Sequence, residues 1–300
     1  MAELHHGEGE SEQRVLSGLR LALELSVVVL VIEAVGAWYS RSLAVTADAV
    51  HNIPDIAAFA VSWAALRSTS AGATDSYTFG RHRFEVFAGL FNGALILGTG
   101  LLFGYEGTSV LVAGTGFGGP VVPIWILAVA LPTLGLRAVS LANLGRLPRR
   151  ARDLNLWGVL LHLASDLAIT GALVVAGVVL LVRPAWGAAD AVAAVAIAAI
   201  LVYESLPLFR DGWEVLTERT PRTLSIDAIA RTAREVPHVA EVHDLHVWSV
   251  CPTLVCMTAH VRVDNTSIRE GMEVAAELRR RLARDHGILH AVIEVEAAAP

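Results

Sequence analysis

The sequence predicts an α-helical membrane protein, six transmembrane helices followed by a small cytoplasmic α+β domain, on three observations. The 300 residues are 54% hydrophobic and have a mean hydropathy of +0.56, too apolar for a soluble domain of that length. Six runs each supply the ~20 mostly apolar residues that a helix needs to cross a bilayer. After Phe209 charged residues return, and the periodicity becomes that of soluble helices and strands.

Residues 1–14, MAELHHGEGESEQR, are polar and acidic where a secretory signal needs a basic start. They read as a cytoplasmic tail, and the apolar run behind them stays as a membrane anchor. The six-helix domain occupies 15–209, with spans from Val15 to Trp38, Ala44 to Leu66, Phe84 to Phe103, Val121 to Leu141, Leu156 to Val182 and Ala188 to Phe209. An even number of spans puts both chain ends on one side. All 23 basic residues are arginine, and Arg14, Arg20, Arg67, Arg81, Arg83, Arg146, Arg149, Arg150, Arg152 and Arg210 fall on the terminal side against Arg41 and Arg183 opposite. The positive-inside rule then makes both termini cytoplasmic, with the plasma membrane as the expected location. A formal charge of −6 gives no support to a nucleic-acid partner. Gly114 to Gly119 is a glycine-rich link without a phosphate-loop lysine, so it is not a nucleotide site.

Residues 210–221, with Thr220-Pro221 near the end, read as a linker, and 222–300 as the cytoplasmic domain. Ser225 to Val236 has helical periodicity, Glu241 to Val250 and Leu254 to Val263 are β-branched runs around a Cys-Pro-Thr turn, Ser267 to Asp285 is an amphipathic helix, and Ile288 to Glu296 alternates as a strand. The order is α-β-β-α-β, and a unit of about 80 residues buries so modest a core that dimerisation would help it. Cys251 and Cys256 are too few for a disulfide framework, fit a reducing compartment and read as core residues.

The second span carries His51 and Asp55 in its middle. An ionisable group at bilayer depth costs several kcal/mol unless it meets a partner or a wet cavity, so the default reading is a functional site. A spacing of i, i+4 puts both side chains on one helix face about 6 Å apart along the axis, and Asp48 lies on that face as well. The fifth span repeats the spacing as His162 and Asp166. Alternation makes these two helices antiparallel, so His51 comes level with Asp166 and Asp55 with His162. Two imidazoles and two carboxylates converging on one point make a tetrahedral shell suited to Zn2+. Pro54 frees the carbonyl of Val50 and should bend the helix locally. Glu24, Glu33, Asn52, Asn92 and Glu204 either line a polar path or make interhelical hydrogen bonds. In the cytoplasmic domain His243, His246, His260 and His290 fall on strands, and His290, Glu294 and Glu296 share one face of the last strand. Either a solvated sheet face or a metal site accounts for them. His5 and His6 read as part of a disordered tail.

These residues resemble a known family, the cation diffusion facilitators, which are zinc/proton antiporters. Ser42-Leu43-Ala44, Ala47-Asp48-Ala49 and His51-x3-Asp55 look like its second-helix signature, and Thr78-Phe79-Gly80-x-His82-Arg83-x-Glu85 looks like the start of its third helix. His162-x3-Asp166 matches the fifth-helix half of its transport site, and Val242-His243-Asp244-Leu245-His246-Val247-Trp248 with His290-x3-Glu294-x-Glu296 looks like its cytoplasmic domain. The resemblance implies a homodimer in the lipid bilayer, with a ferredoxin-like cytoplasmic domain and one transport site of His51, Asp55, His162 and Asp166 per subunit. It further implies export of zinc, with cadmium, cobalt or nickel as further cargo, in exchange for protons by alternating access. A second zinc would be held in the cytoplasmic domain by His243, His260 and a last-strand ligand, Glu296 or His290. A charge pair of Arg83 and Glu218 would stand near the joint between the domains. Where some members carry a metal site in the loop after the second helix, this chain has Thr74, Tyr77 and Arg81, and no site is expected there.

Two rival readings come from other classes. A membrane zinc hydrolase would keep an open metal position, whereas four protein ligands close this one. The chain also lacks His-Glu-x-x-His and Gly-x-Ser-x-Gly. A membrane-anchored metal sensor would have no use for six spans with a matched pair of buried ligands. No catalytic residue is expected.

Overall fold

A computed structural model describes residues 2–68, 74–80, 82–114, 119–146, 154–251, 254–264 and 267–297, with side chains left out at 2–16, 19, 58–68, 85 and 154–159. Arg81, the loop residues 115–118, the arginines at 149, 150 and 152, and Pro252-Thr253 lie outside the described residues, as do the side chains of His5 and His6. The chain divides into two units, Met1–Ala71 with Leu90–Leu208, and Gly72–Gly89 with Phe209–Pro300.

The first unit is helical. Its helices are α1 (Ala2–Ser40), α2 (Leu43–Ser68), α3 (Arg83–Ala113), α4 (Pro123–Gly145), α5 (Leu154–Val182) and α6 (Ala188–Leu216), of which α3 and α6 run on into the second unit. Among the described residues, five helices hold a stretch long and apolar enough to cross a membrane: Arg20–Ser40, Val86–Ala113, Pro123–Gly145, Leu160–Val182 and Ala188–Leu216. The remaining one, α2, has 26 residues, about 39 Å of helix at 1.5 Å per residue, and carries the buried Asp48, His51 and Asp55.

Three boundaries differ from the sequence expectation. Helix α1 starts at Ala2 and takes in the segment expected to be a tail, because its glutamates and alanine are compatible with helix and the span behind it supplies the nucleus. Helix α3 continues ten residues beyond Phe103, to Ala113. Glu106, Gly104 and Gly107 dilute the apolar pattern there, yet Gly107 packs closely on α6, and a Cβ on it would stand 2.7 Å from Val195 Cγ2. Small residues permit such close approach of membrane helices. Helix α6 likewise passes Phe209 and ends at Leu216, with Pro207 inside it.

The interior is built from Leu43, Val45 and Ala47 of α2, Ile126, Val129 and Ala130 of α4, Ile169 and Leu173 of α5, and Ala194, Ile197 and Leu201 of α6. Large apolar side chains such as Val31, Val35, Phe91, Leu101 and Val175 point outward, as suits helices whose surroundings are lipid. The start of α2 is anchored on α6. Asp190 accepts hydrogen bonds from Ser42 Oγ and, at 2.7 Å, from Leu43 N, while Ser42 Oγ accepts from Val45 N at 3.0 Å. A carboxylate at a helix N-terminus also meets the positive end of the helix dipole.

The second unit contains α7 (Ile226–Arg234), β1 (Val239–Cys251), β2 (Leu254–Val263), α8 (Ile268–His286) and β3 (His290–Ala297), the α-β-β-α-β order expected. The sheet order is β1-β2-β3, antiparallel between β1 and β2 and parallel between β2 and β3. Ser225 caps α7, and Ser267 with Glu270 forms a reciprocal capping box on α8. Ile229, Met257, Val261, Leu278 and Leu282 form its buried core, and Cys251 and Cys256 are buried free thiols. The β1–β2 ladder slips between His243 and His246, where Asp244 has φ 48. An aspartate tolerates that conformation better than a branched residue would.

Candidate functional site

Helix α2 contributes His51 and Asp55 and helix α5 contributes His162 and Asp166, and the four side chains meet crosswise. His51 Nε2 is 3.1 Å from Asp55 Oδ2 and 3.6 Å from Asp166 Oδ1. His162 Nε2 is 3.3 Å from Asp55 Oδ1 and 3.8 Å from Asp166 Oδ2. His51, Asp55 and Asp166 each offer a ligand atom within 4.8 Å of the others. His162 joins them through the two carboxylates, its ring 6.1 Å from that of His51. His51, Asp55 and Asp166 are buried, whereas the His162 side chain is 26% exposed. Four ligands at ~2.0 Å from a tetrahedral ion stand ~3.3 Å apart, which is the scale of these distances. Both ring nitrogens of His51, Asp55 Oδ2 and Asp166 Oδ1 are buried without a hydrogen-bond partner among the described residues. Leaving such groups unpaired costs free energy that a cation would recover.

A residue that the sequence reading passed over lies beside this cluster. Arg137 of α4 is 4% exposed. Its Nη2 donates to Glu33 Oε1 at 3.2 Å, Asp48 Oδ1 at 3.1 Å and Asn52 Oδ1 at 3.1 Å. Its Nη1 donates to the Asp166 carbonyl at 2.8 Å and to Thr170 Oγ1 at 2.5 Å. The signal was an arginine within an expected span, one that the loop tally of arginines did not include. Of the other polar span residues, Glu33 also accepts from Asn52 Nδ2, and Glu24 pairs on the surface with Arg20 at 2.8 Å. Asn92 Oδ1 and Glu204 Oε2 are buried without a hydrogen-bond partner among the described residues.

A second cluster lies in the α+β unit. His243 and His260 face each other across β1 and β2, their rings 5.4 Å apart. Glu296 of β3 reaches both, its Oε2 3.3 Å from His243 Nε2 and its Oε1 3.0 Å from His260 Nδ1. These three form the other set able to hold a metal among the described residues. The hydrogen bond with His260, helped by nearby His243 and Arg262, holds the Glu296 carboxyl below its usual range. Glu294 stands at the edge, 3.6 Å from His260. His246 is exposed and pairs at 2.9 Å with Asp244, whose other oxygen is 3.5 Å from His260 Nε2. His290 is not in this cluster. It pairs in register with Cys256 and packs on Phe79, because six residues of strand separate it from Glu296 by roughly 20 Å. Arg83 Nη2 is 3.4 Å from Glu218 Oε1, with both side chains half exposed or more. Thr74 and Tyr77 bond to each other through their backbones.

Residues 19–217 match the family described as cation efflux transmembrane domain, and residues 221–298 match the cation efflux protein, cytoplasmic domain. The chain is 30% identical over 285 residues to the metal cation efflux system protein CzcD of Cupriavidus metallidurans, covering 93% of this chain and 86% of that one. It is 30% identical over 306 residues to the cadmium, cobalt and zinc/H(+)-K(+) antiporter of Bacillus velezensis, covering 100% and 93%. With the probable proton-coupled zinc antiporter SLC30A3 of Homo sapiens it shares 27% identity over 287 residues, 89% and 74% of the two chains.

Proposed function

The chain belongs to the cation diffusion facilitator family of metal-cation efflux proteins, and from that premise we propose that it exports Zn2+ from the cytoplasm in exchange for protons. Cadmium, cobalt and nickel are the further cargo expected of such a site. The observation that carries this reading is the crosswise meeting of His51 and Asp55 with His162 and Asp166 inside the helical unit.

Two carboxylates give the empty site a formal charge of −2, which a divalent ion neutralises. Protons do part of the same work. Imidazole ordinarily titrates near pH 6.5 and binds metal only when neutral. Loading zinc from the cytoplasm therefore releases protons, and protonation from outside expels zinc. Rocking of the helices around a fixed central site makes those two events occur on opposite sides. A closed shell of four protein ligands supports carriage over hydrolysis, since a catalytic zinc keeps a position for water.

The same reading takes 15–209 as the transport domain, 210–221 as the linker and 222–300 as the cytoplasmic domain, with both termini cytoplasmic and the protein in the plasma membrane. Two chains pair, a reading supported by the match of 221–298 to the cation efflux cytoplasmic family and by the modest core of so small a unit. A second, structural zinc sits on His243, His260 and Glu296. The test is zinc uptake by sealed vesicles containing the purified protein, with and without a pH gradient. Uptake that rises with the gradient and dissipates it in return is the expected result. Zinc movement indifferent to the gradient would remove the proton exchange.

A further inference from the structure

The oxygens around Arg137 have the composition of a cation site. Glu33 and Asp48 are completely buried, and with Asn52 they direct one oxygen each at the same guanidinium nitrogen from α1 and α2. Two carboxyl groups and an amide thus share a single guanidinium. Asp48 Oδ2 has no hydrogen-bond partner among the described residues, so the cradle offers more acceptor capacity than the arginine consumes. Carboxylate and amide oxygens without nitrogen or sulfur are the ligand set of hard divalent cations. The cradle also adjoins the transport cluster. Asp48 is one turn before His51 on α2, Arg137 bonds the Asp166 carbonyl, and Asn52, Arg137, Ser140 and Asp166 line one cavity.

We propose that Arg137 is a tethered counter-cation filling a second, oxygen-lined cation site beside the His51, Asp55, His162 and Asp166 cluster, so that the membrane domain of each subunit takes one divalent ion and not two. An arginine suits that task. It stays charged at any accessible pH, so neither a proton gradient nor a change of state empties the site, and its planar fork satisfies several acceptors at once. Five hydrogen bonds from Arg137 reach α1, α2 and α5 as well as its own anchor on α4, so a divalent ion would have to displace a group held at many points. That the neighbouring cluster binds zinc rests on the transport reading above, whereas the occupancy of the cradle by Arg137 does not.

The experiment counts ions bound to the full-length purified dimer after equilibrium dialysis, once with Zn2+ and once with Mn2+. Zinc on the cytoplasmic domain is common to every variant and cancels in the differences. Arg137→Met is expected to bind one more divalent ion per subunit than the unaltered protein, with the excess clearest for Mn2+. Arg137→Met combined with Glu33→Gln and Asp48→Asn should lose that excess, and Arg137→Lys should never show it. A folded, dimeric Arg137→Met protein with the original count for both metals would overturn the proposal. Should Arg137→Met fail to fold, the charge-balanced pair Arg137→Met with Glu33→Gln is expected to fold, and its failure too would overturn the role of counter-cation. The combination His51→Ala with Asp166→Ala tests the neighbour separately. An unchanged zinc count there would sink the transport site and leave the tethered cation standing.

Discussion

Asp55 of α2 and His162 of α5 face each other with 3.3 Å between Oδ1 and Nε2. His51 and Asp166 make the same crossing in the other direction at 3.6 Å. Each helix therefore brings one nitrogen and one oxygen, and neither alone completes a tetrahedral shell. Any shift of α2 against α5 changes both crossing distances together, which is the coupling an alternating carrier needs.

Replacing one carboxylate removes both a ligand and a charge. Asp55→Ala and Asp166→Ala are each expected to lower zinc transport by at least ~10- to 100-fold, the size of effect seen even for groups one step removed from a metal. The dimer should survive, since the apolar core of α2, α4, α5 and α6 is untouched. Transport at the original rate by the Asp166→Ala protein in vesicles would remove the residue from the site.

Selectivity should follow the nitrogen count. His51→Asp leaves one imidazole and three carboxylates, a harder and more anionic shell with a shorter side chain. Zinc is expected to lose ~1–3 kcal/mol relative to Cd2+ or Mn2+. Competition uptake in vesicles reads this as a fall in the zinc-to-cadmium and zinc-to-manganese ratios, and unchanged ratios with intact uptake would mean that His51 does not touch the metal.

The Arg83–Glu218 pair is exposed, 50% and 62% at its side chains, and such pairs contribute only ~0–1 kcal/mol. Its value is positional. Arg83→Glu and Glu218→Arg should each slow transport with little change in thermal stability, and the double reversal should recover most of the loss. A double reversal as slow as the single ones would end the pairing argument.

Zinc at His243, His260 and Glu296 should stabilise the cytoplasmic domain by mass action, ~2.7 kcal/mol at a hundred times the dissociation constant. Thermal unfolding of residues 221–300 with and without zinc measures it. His243→Ala should abolish the shift and His290→Ala should leave it, because only the former lies in the cluster. Loss of the shift in His290→Ala would restore His290 as the last-strand ligand.

In the zinc-free domain the Glu296 carboxyl is held below its ordinary value of 4.5 by the His260 hydrogen bond and the nearby positive groups. A lowered carboxylate pKa favours the folded state above the unfolded value, and that contribution disappears as pH falls through the folded value. The stability gap between the unaltered domain and Glu296→Gln should therefore hold from neutral pH down to about 4.5 and close below it. A gap that persists unchanged as the pH falls below about 4.5 would show that the charge of Glu296 contributes nothing.

The sequence by itself determined the elements and the paired ligand spacing. Apolar run length, helical period and strand alternation depend on neighbours within a few residues, so six helices, the α-β-β-α-β order and the His-x3-Asp spacing at 51 and 162 are readable without coordinates. The antiparallel crossing of His51 with Asp166 then follows from counting spans. Only tertiary structure decided the rest. The extra length of α3 packs Gly107 against α6, and the start of α2 is bonded to Asp190, 147 residues away along the chain. Glu296 rather than His290 joins His243 and His260 because the register of β3 on β2 sets Glu294 opposite His260, which leaves Glu296 two residues along on the same face and His290 four residues away. Arg137 meets Glu33 from 104 residues away and Asp48 from 89. No local period encodes such distant contacts, because the free energy that holds them comes from burial and charge pairing between helices once these have packed.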